Sequence, residues 1–324
     1  MDFSRFEQRA KGSGNSHYYK QYMAQATQVQ DSELNADLSV TRIKNTYDVF
    51  DETEVQRLAF QRNLFRRSDL YHLSKLIATE SNRSLVDVGC NDGMLMQDRL
   101  RGLQGISYVL GIDSNKERID RNVARIDNGI CDYACINAES SDFAEQMKAL
   151  YGGEIVEFDI AFCSMVLLHT QDPLSVLQNL RYILKEGGKV FIRDIDDGLS
   201  VAYPDDNNVF PKILDLSNRA PATGFRHSGR QLSYLLAQAG YRNIRTYIEN
   251  ISTIGKSAQE LDLLYSINFD FIPGDVELAI ENGVDGFKPS DKADLDKWLK
   301  ELKKLFHLNG FFYNMGSVVL TAEV

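Results

Sequence analysis

Five short apolar runs, each followed by a helical pattern, constrain this chain more than any other feature of its sequence. Residues 84–88, 108–113, 133–137, 158–163 and 189–194 are rich in β-branched and aromatic side chains, and their apolar residues are nearly continuous rather than alternating. A strand that is apolar on both sides must be covered on both sides, which is the condition of a parallel sheet sandwiched by helices. The clearest helix between runs is 174–184, with Leu174, Leu177, Leu180 and Leu184 on one face, Asp172 placed to cap it, Pro173 in its first turn and Gly187 beyond its end. Asp142-x-x-Glu145 reads as a capping box, and 228–239, closed by Gly240, as a further helix. Repeated strand–helix units predict a doubly wound, Rossmann-like α/β fold, with 243–249 and 311–322 completing a seven-stranded sheet.

The remaining segments define the organisation. About eighty residues (1–80) precede the first strand and read as an amphipathic helical extension, with Tyr18, Tyr22 and Val29 at roughly helical spacing. The core is expected over 81–324, interrupted by excursions at about 198–227 and 252–308. The first holds Pro204, Pro211 and Pro221; the second carries helical patterns at 259–269 and 291–306. Excursions of that length are rarely idle and read as a cover over a substrate. No internal repeat is found. A net charge of −10 over 324 residues argues against a nucleic-acid partner, which demands a basic face. The charged first ten residues are unlike a signal peptide, and the longest apolar run, 160–168, is too short to cross a bilayer, so no membrane partner is expected. Cys90, Cys131, Cys135 and Cys163 form no CxxC pair, which argues against a zinc site and a disulfide framework and suits a reducing cytoplasm.

The segment Asp87-Val88-Gly89-Cys90-Asn91-Asp92-Gly93 sits where the first strand turns into a helix. Glycine there permits unusual backbone angles and close approach of a ligand, and the helix N-terminus favours an anionic group; a plain structural turn is the alternative. Asp113 ends the second strand, the place at which an acid meets ribose hydroxyls in such folds, although Asp113 or Ser114 could instead cap the next helix. Together the two features predict an adenosine-containing cofactor. The chain contains no Gly-x-x-x-x-Gly-Lys-Ser/Thr phosphate loop.

An acid followed by Gly89, Asn91 and Gly93 resembles the first motif of the class I S-adenosylmethionine-dependent methyltransferases, with Asn91 where the family usually has its middle glycine. The resemblance continues through 158–169, similar to the family's fourth strand and its continuation, and through Leu184-Lys185-Glu186-Gly187-Gly188, similar to its turn into the fifth. It covers roughly 84–195; residues 311–322 suit the family's antiparallel last strand, whereas 1–80 and both excursions lie outside the family core. The resemblance implies that S-adenosylmethionine is the cofactor and S-adenosylhomocysteine the product. It further implies that Asp87, Gly89, Asn91 and Gly93 face the methionine part, Asp113 and Ser114 the ribose, Asn137 and Ala138 the adenine, and Cys163 and Ser164 the methyl end.

A methyl transfer needs a base only if the acceptor is protonated. His169, just past the fourth strand, and His227, beside Arg226, are candidates, each with packing as its alternative; His17, His72 and His307 read as surface or packing residues. Asp194, with Asp196 and Asp197, ends the fifth strand and could attract or deprotonate a cationic acceptor, or be solvated loop acids. No metal is expected there, since no suitably spaced Asn or His accompanies them. Tyr203, Phe210, Phe225, Tyr265, Phe269 and Phe271 suit pocket walls or packing, and Arg62, Arg66 and Arg67 suit a clamp for a carboxylate or a solvated helix face. The expected activity is methyl transfer to O or N of a small organic molecule. A protein or peptide acceptor, a catalytically silent cofactor-binding partner and a nicotinamide-dependent oxidoreductase are the other readings. A homodimer is one arrangement left open.

Overall fold

The computed structural model of the protein describes residues 52–77, 82–125 and 130–324; the expectations placed on Tyr18, Tyr22, Val29 and His17 lie outside them. Helix α1 (Glu52–Ile77) leads into the alternating units β1 (Arg83–Val88), α2 (Met94–Leu100), β2 (Ile106–Asp113), α3 (Lys116–Arg125), β3 (Cys131–Cys135), α4 (Phe143–Leu150), β4 (Phe158–Ser164), α5 (Pro173–Ile183) and β5 (Leu184–Ile195). Then come β6 (Val201–Tyr203), α6 (Val209–Arg219), α7 (Leu232–Gln238), β7 (Arg242–Ser252), α8 (Ala258–Phe269), α9 (Ile272–Glu281), α10 (Pro289–Phe306) and β8 (Phe312–Glu323).

The first five strands are parallel in the order β3-β2-β1-β4-β5, and β8 follows β5 antiparallel. β7 pairs with the far edge of β8, and β6 pairs with residues 312–314 of β8, along the edge that β5 has left. The sheet therefore has eight strands rather than seven. Both its faces are buried, as the unbroken apolar runs require: Ala161 and Cys163 of β4 pack on one side with α4, α5 and α7, and Ile160 and Phe162 on the other with α1 and α2. Phe162 stacks on Phe191 of β5 at 4.8 Å. The third strand lies two residues earlier than expected, because pairing with β2 ends at Asp113↔Cys135 and the chain leaves the sheet there.

Helix α5 begins as its sequence dictates. Asp172 accepts the Ser175 N–H at 3.1 Å and the Ser175 hydroxyl at 2.6 Å, and Pro173 occupies the first turn. Asp172→Ala should cost about 1 kcal/mol in urea unfolding, the usual worth of such a cap. Asp142 does not form the expected capping box: it stands at the N-cap of α4, but its carboxylate takes the Ser140 hydroxyl and the Gln146 amide instead.

The excursion 198–227 contains helix α6. Asp205 caps that helix through the N–H groups of Val209 (2.8 Å) and Phe210 (2.9 Å), and Pro211 falls in the first turn, where a missing N–H costs nothing. Helix α9, also unanticipated, likewise carries its proline in the first turn. Helices α6, α8, α9 and α10 share a second apolar core with Phe65 of α1 and Tyr313 and Met315 of β8. Four of the six aromatic residues named above (Phe210, Tyr265, Phe269 and Phe271) are buried in it, so they pack the helices and do not line an open wall; Tyr203 and Phe225 are exposed. No described helix is long and apolar enough to cross a membrane.

Candidate functional site

Strand order reverses between β1 and β4, and the loops that follow these two strands face each other across the C-terminal edge of the sheet, where open α/β sheets hold their ligands. The loop after β1 has left-handed backbone at Gly89 (φ +66°), Asn91 (φ +50°) and Gly93 (φ +67°). The glycines do more than permit these angles. A Cβ on Gly89 would lie 2.5 Å from Val166, and one on Gly93 2.6 Å from the Tyr133 hydroxyl. The close approach expected there is thus made by protein side chains that wall the crevice.

Asn91 joins three parts of the site. Its N–H donates to Asp113 Oδ2 (3.0 Å), its carbonyl accepts from Asn122 Nδ2 (2.6 Å), and its buried Oδ1 has no partner among the described residues. Asp113 Oδ1 accepts the Asn115 N–H (2.9 Å). Asn115, not Asp113 or Ser114, caps α3, by accepting the Arg118 N–H (3.2 Å). Ser114 is exposed beside Asp113. Asp87 lies beneath the loop, 4% exposed. Burial, reinforced by the charge of Asp113 and partly offset by Arg99, pushes its carboxyl up to about 8.

After β3, Asn137 is exposed and its amide oxygen already accepts the Glu139 N–H (3.0 Å). The Ala138 carbonyl accepts from Asn179 (2.9 Å). After β4, Ser164 is half-buried and Met165 takes φ +60°. Cys163 does not line the crevice: strand alternation turns its thiol into the core beside Val88 and Ile192, with no exposed surface, and burial followed by the charges of Asp194 and Asp87 keeps it protonated.

Asp194, expected as a possible base, is fully buried and accepts from Leu168 N–H (2.9 Å), Ile195 N–H (3.0 Å) and Ser228 Oγ (3.0 Å). Burial raises it to about 7 against those three bonds. Asp196 binds Arg230 in a two-pronged pair (2.8 and 2.6 Å), and Asp197 does the same with Arg226 (2.6 and 2.9 Å). The three acids therefore do not await a cationic acceptor; they clamp the segment 226–230 to the end of β5. Sequence spacing could not reveal this, because their partners lie about thirty residues on.

That clamp brings the two histidine candidates to one neighbourhood. Phe225 N–H donates to the Leu168 carbonyl (2.6 Å), a Cβ on Gly224 would sit 3.0 Å from His169 Nδ1, and the His227 ring meets Phe225 edge-on at 6.1 Å. His169 keeps accessible surface, with neighbouring atoms close about its ring. Burial, then Arg226 and Arg57, push its imidazole down to about 4, so it is neutral at physiological pH. His72 is buried against Tyr247, and His307 pairs with Asp262 at 3.0 Å. Arg66 pairs with Asp98 (2.9 Å), Arg67 is exposed, and Arg62 reaches Asp92 of the crevice loop at 3.5 Å. Asn122, which no motif singles out, holds this loop through the Asn91 carbonyl, and Arg99, equally unmarked by any motif, holds Asp69 and the Arg62 carbonyl of α1. Among the described residues no cluster of His, Cys, Asp and Glu could hold a metal.

Residues 60–246, more than half of the chain, match the family described as a methyltransferase domain. A ubiquinone biosynthesis O-methyltransferase of Histophilus somni is 32% identical over 118 residues, covering 36% of this chain and 46% of that protein. An uncharacterised 37.1 kDa protein of transposon TN4556 from Streptomyces fradiae is 27% identical over 180 residues, 55% of this chain and 48% of that one. The chain thus spans about half the length of the curated relatives it matches. Among solved structures, phosphoethanolamine N-methyltransferase 2 of Haemonchus contortus with S-adenosyl-L-methionine aligns with a TM-score of 0.46 at 15% identity, over 79% of this chain and 52% of that one.

Proposed function

The chain belongs to the methyltransferase-domain family, and from that premise we propose that it binds S-adenosylmethionine in the crevice between the loops after β1 and β4. There it methylates an O or N atom of a small organic acceptor. The observation that carries this reading is the buried, orphaned amide oxygen of Asn91, in a loop whose N–H is tied to Asp113 and which follows the buried Asp87. An orphaned buried acceptor in an acidic loop calls for a donor, and the ammonium of an amino-acid tail offers three N–H groups. Arg62, loosely held at 3.5 Å by Asp92, stands ready for the tail's carboxylate. Asp113, half-exposed, keeps lone pairs for two ribose hydroxyls, with Gly89, Gly93 and Ser114 shaping the seat around it. Asn137 and Ala138 flank the adenine, and Ser164 lies toward the methyl end.

When bound, S-adenosylmethionine supplies an activated methyl group for in-line displacement, so the protein's work is alignment and exclusion of water. The acceptor docks against His169, Phe225 and His227, which the clamp at the end of β5 brings together. The neutral imidazole of His169 can take a proton but is a weak base, which suits an acceptor that already ionises readily. The helices α6 and α8–α10 cover the acceptor as a lid, and α1 is the described part of an N-terminal extension to it.

Calorimetric titration with S-adenosylhomocysteine tests the reading: saturable binding is expected, and its absence, or displacement by a nicotinamide dinucleotide, would sink it. The pH dependence is a sharper check. Because Asp87 titrates near 8, ionising it for an ammonium partner costs least at high pH. Affinity should therefore climb toward tenfold per pH unit between about pH 6 and 7.5 and then level off. In Asp87→Asn the slope should vanish. The same raised value makes Asp87 a destabilising group whose cost grows from about pH 4 upward, so Asp87→Asn should unfold at higher temperature than the parent at pH 8. Formation of S-adenosylhomocysteine with any amine or phenol would exclude a catalytically silent role.

A further inference from the structure

Beneath the crevice lies a charged cluster that the methyl-transfer reading does not use. Asp69, Arg99 and Arg193 have no exposed surface. Asp69 Oδ2 accepts from Arg99 Nε (2.9 Å) and Nη2 (2.6 Å), and its Oδ1 accepts from Arg193 Nε (3.0 Å) and Nη2 (2.8 Å). Arg193 continues to Glu249, Ser68 and Ser317, and Arg99 Nη1 to Asp98 (2.8 Å). Buried pairs of this kind add little net stability over an apolar packing, but they define geometry closely.

The geometry they define is that of α1. Arg99 Nη2 also donates to the backbone carbonyl of Arg62 (2.8 Å). One guanidinium thus grips α1 at residues 62 and 69, about two helical turns apart, which sets both its register and its tilt. Arg99 itself belongs to α2, the helix that begins directly after Gly93. The crevice loop and the Arg62 side chain are in this way mounted on one frame, with the Arg62 guanidinium 3.5 Å from Asp92.

We propose that Arg99 is a positioning residue for the amino-acid end of the cofactor, acting through Arg62. By bridging Asp69 and the Arg62 carbonyl it fixes the distance between that guanidinium and the loop that seats the tail. The proposal rests on the cofactor reading above. Lysine at 99 would keep the charge but could not span both contacts, because it lacks the planar fork.

The test compares S-adenosylhomocysteine with 5′-methylthioadenosine, which has the base, sugar and thioether but no amino-acid tail. Calorimetry on the full chain should show tighter binding of the first. Arg62→Ala should weaken it about tenfold while changing methylthioadenosine less than twofold, and Arg99→Lys should show the same selective loss. The double variant should lose no more than the worse single variant, since one residue acts through the other. Equal weakening of both ligands by Arg99→Lys, no weakening, or additive losses would overturn the proposal. Should Arg99→Lys fail to fold, hydrogen exchange on the unaltered protein decides: S-adenosylhomocysteine should slow exchange in residues 57–66 and methylthioadenosine should not. Equal protection, or none, refutes the positioning role. Failure of the unaltered protein to bind either ligand would instead refute the cofactor reading.

Discussion

Asp69→Ala should destabilise the fold by about 3–5 kcal/mol in urea denaturation, the cost of leaving buried charge without its partner. Two guanidiniums with no exposed surface, Arg99 and Arg193, each lose a two-pronged partner in this variant. Asp98, Glu249 and Ser317 remain and temper the loss. Arg66→Ala serves as the control, because its pair with Asp98 is 39% and 23% exposed. It should cost less than about 1 kcal/mol, as surface pairs do. If the two variants unfold at the same urea concentration, the cluster is hydrated and the account of α1 as a fixed element is wrong. Activity should fall with the fold, so binding is to be measured only where circular dichroism shows the variant intact.

The second large effect concerns the sugar. Asp113→Ala should weaken S-adenosylhomocysteine binding at least a hundredfold, about 3 kcal/mol, as hydrogen bonds to a charged acceptor are worth about 1.5–3 kcal/mol each. Part of the loss is indirect, since Asp113 also holds the N–H groups of Asn91 and Asn115. Asp113→Asn keeps one acceptor oxygen and should recover part of the affinity. Binding that survives Asp113→Ala within threefold would remove the ribose from this site.

The sheet was legible because burial on both faces leaves no freedom in the pattern: the runs at 84–88, 108–113 and 158–163 became strands with ends shifted by two residues or fewer. Asp87, Gly89, Asn91, Gly93 and Asp113 converge in space because the loop after β1 and the end of β2 are neighbours by pairing, and local sequence spacing encodes that proximity. What spacing could not encode was long-range partnership. The acids at 194, 196 and 197 read as free because Arg226, Ser228 and Arg230 lie on the far side of an excursion. Cys163 was misplaced for a simpler reason: proximity to a strand end does not tell which face a side chain takes. Helix α6 was hidden by its own proline, whose position in the first turn is harmless only once Asp205 is known to cap it.

The clamp at the end of β5 has a consequence for how such a protein could change its diet. Its grip runs through Arg226, Ser228, Arg230 and main-chain atoms, and leaves the side chains of Phe225 and His227 outside it. Those two positions are interchangeable tips on a rigid mount. On the proposed acceptor site, exchanging them should retune which molecules are accepted without loosening the scaffold.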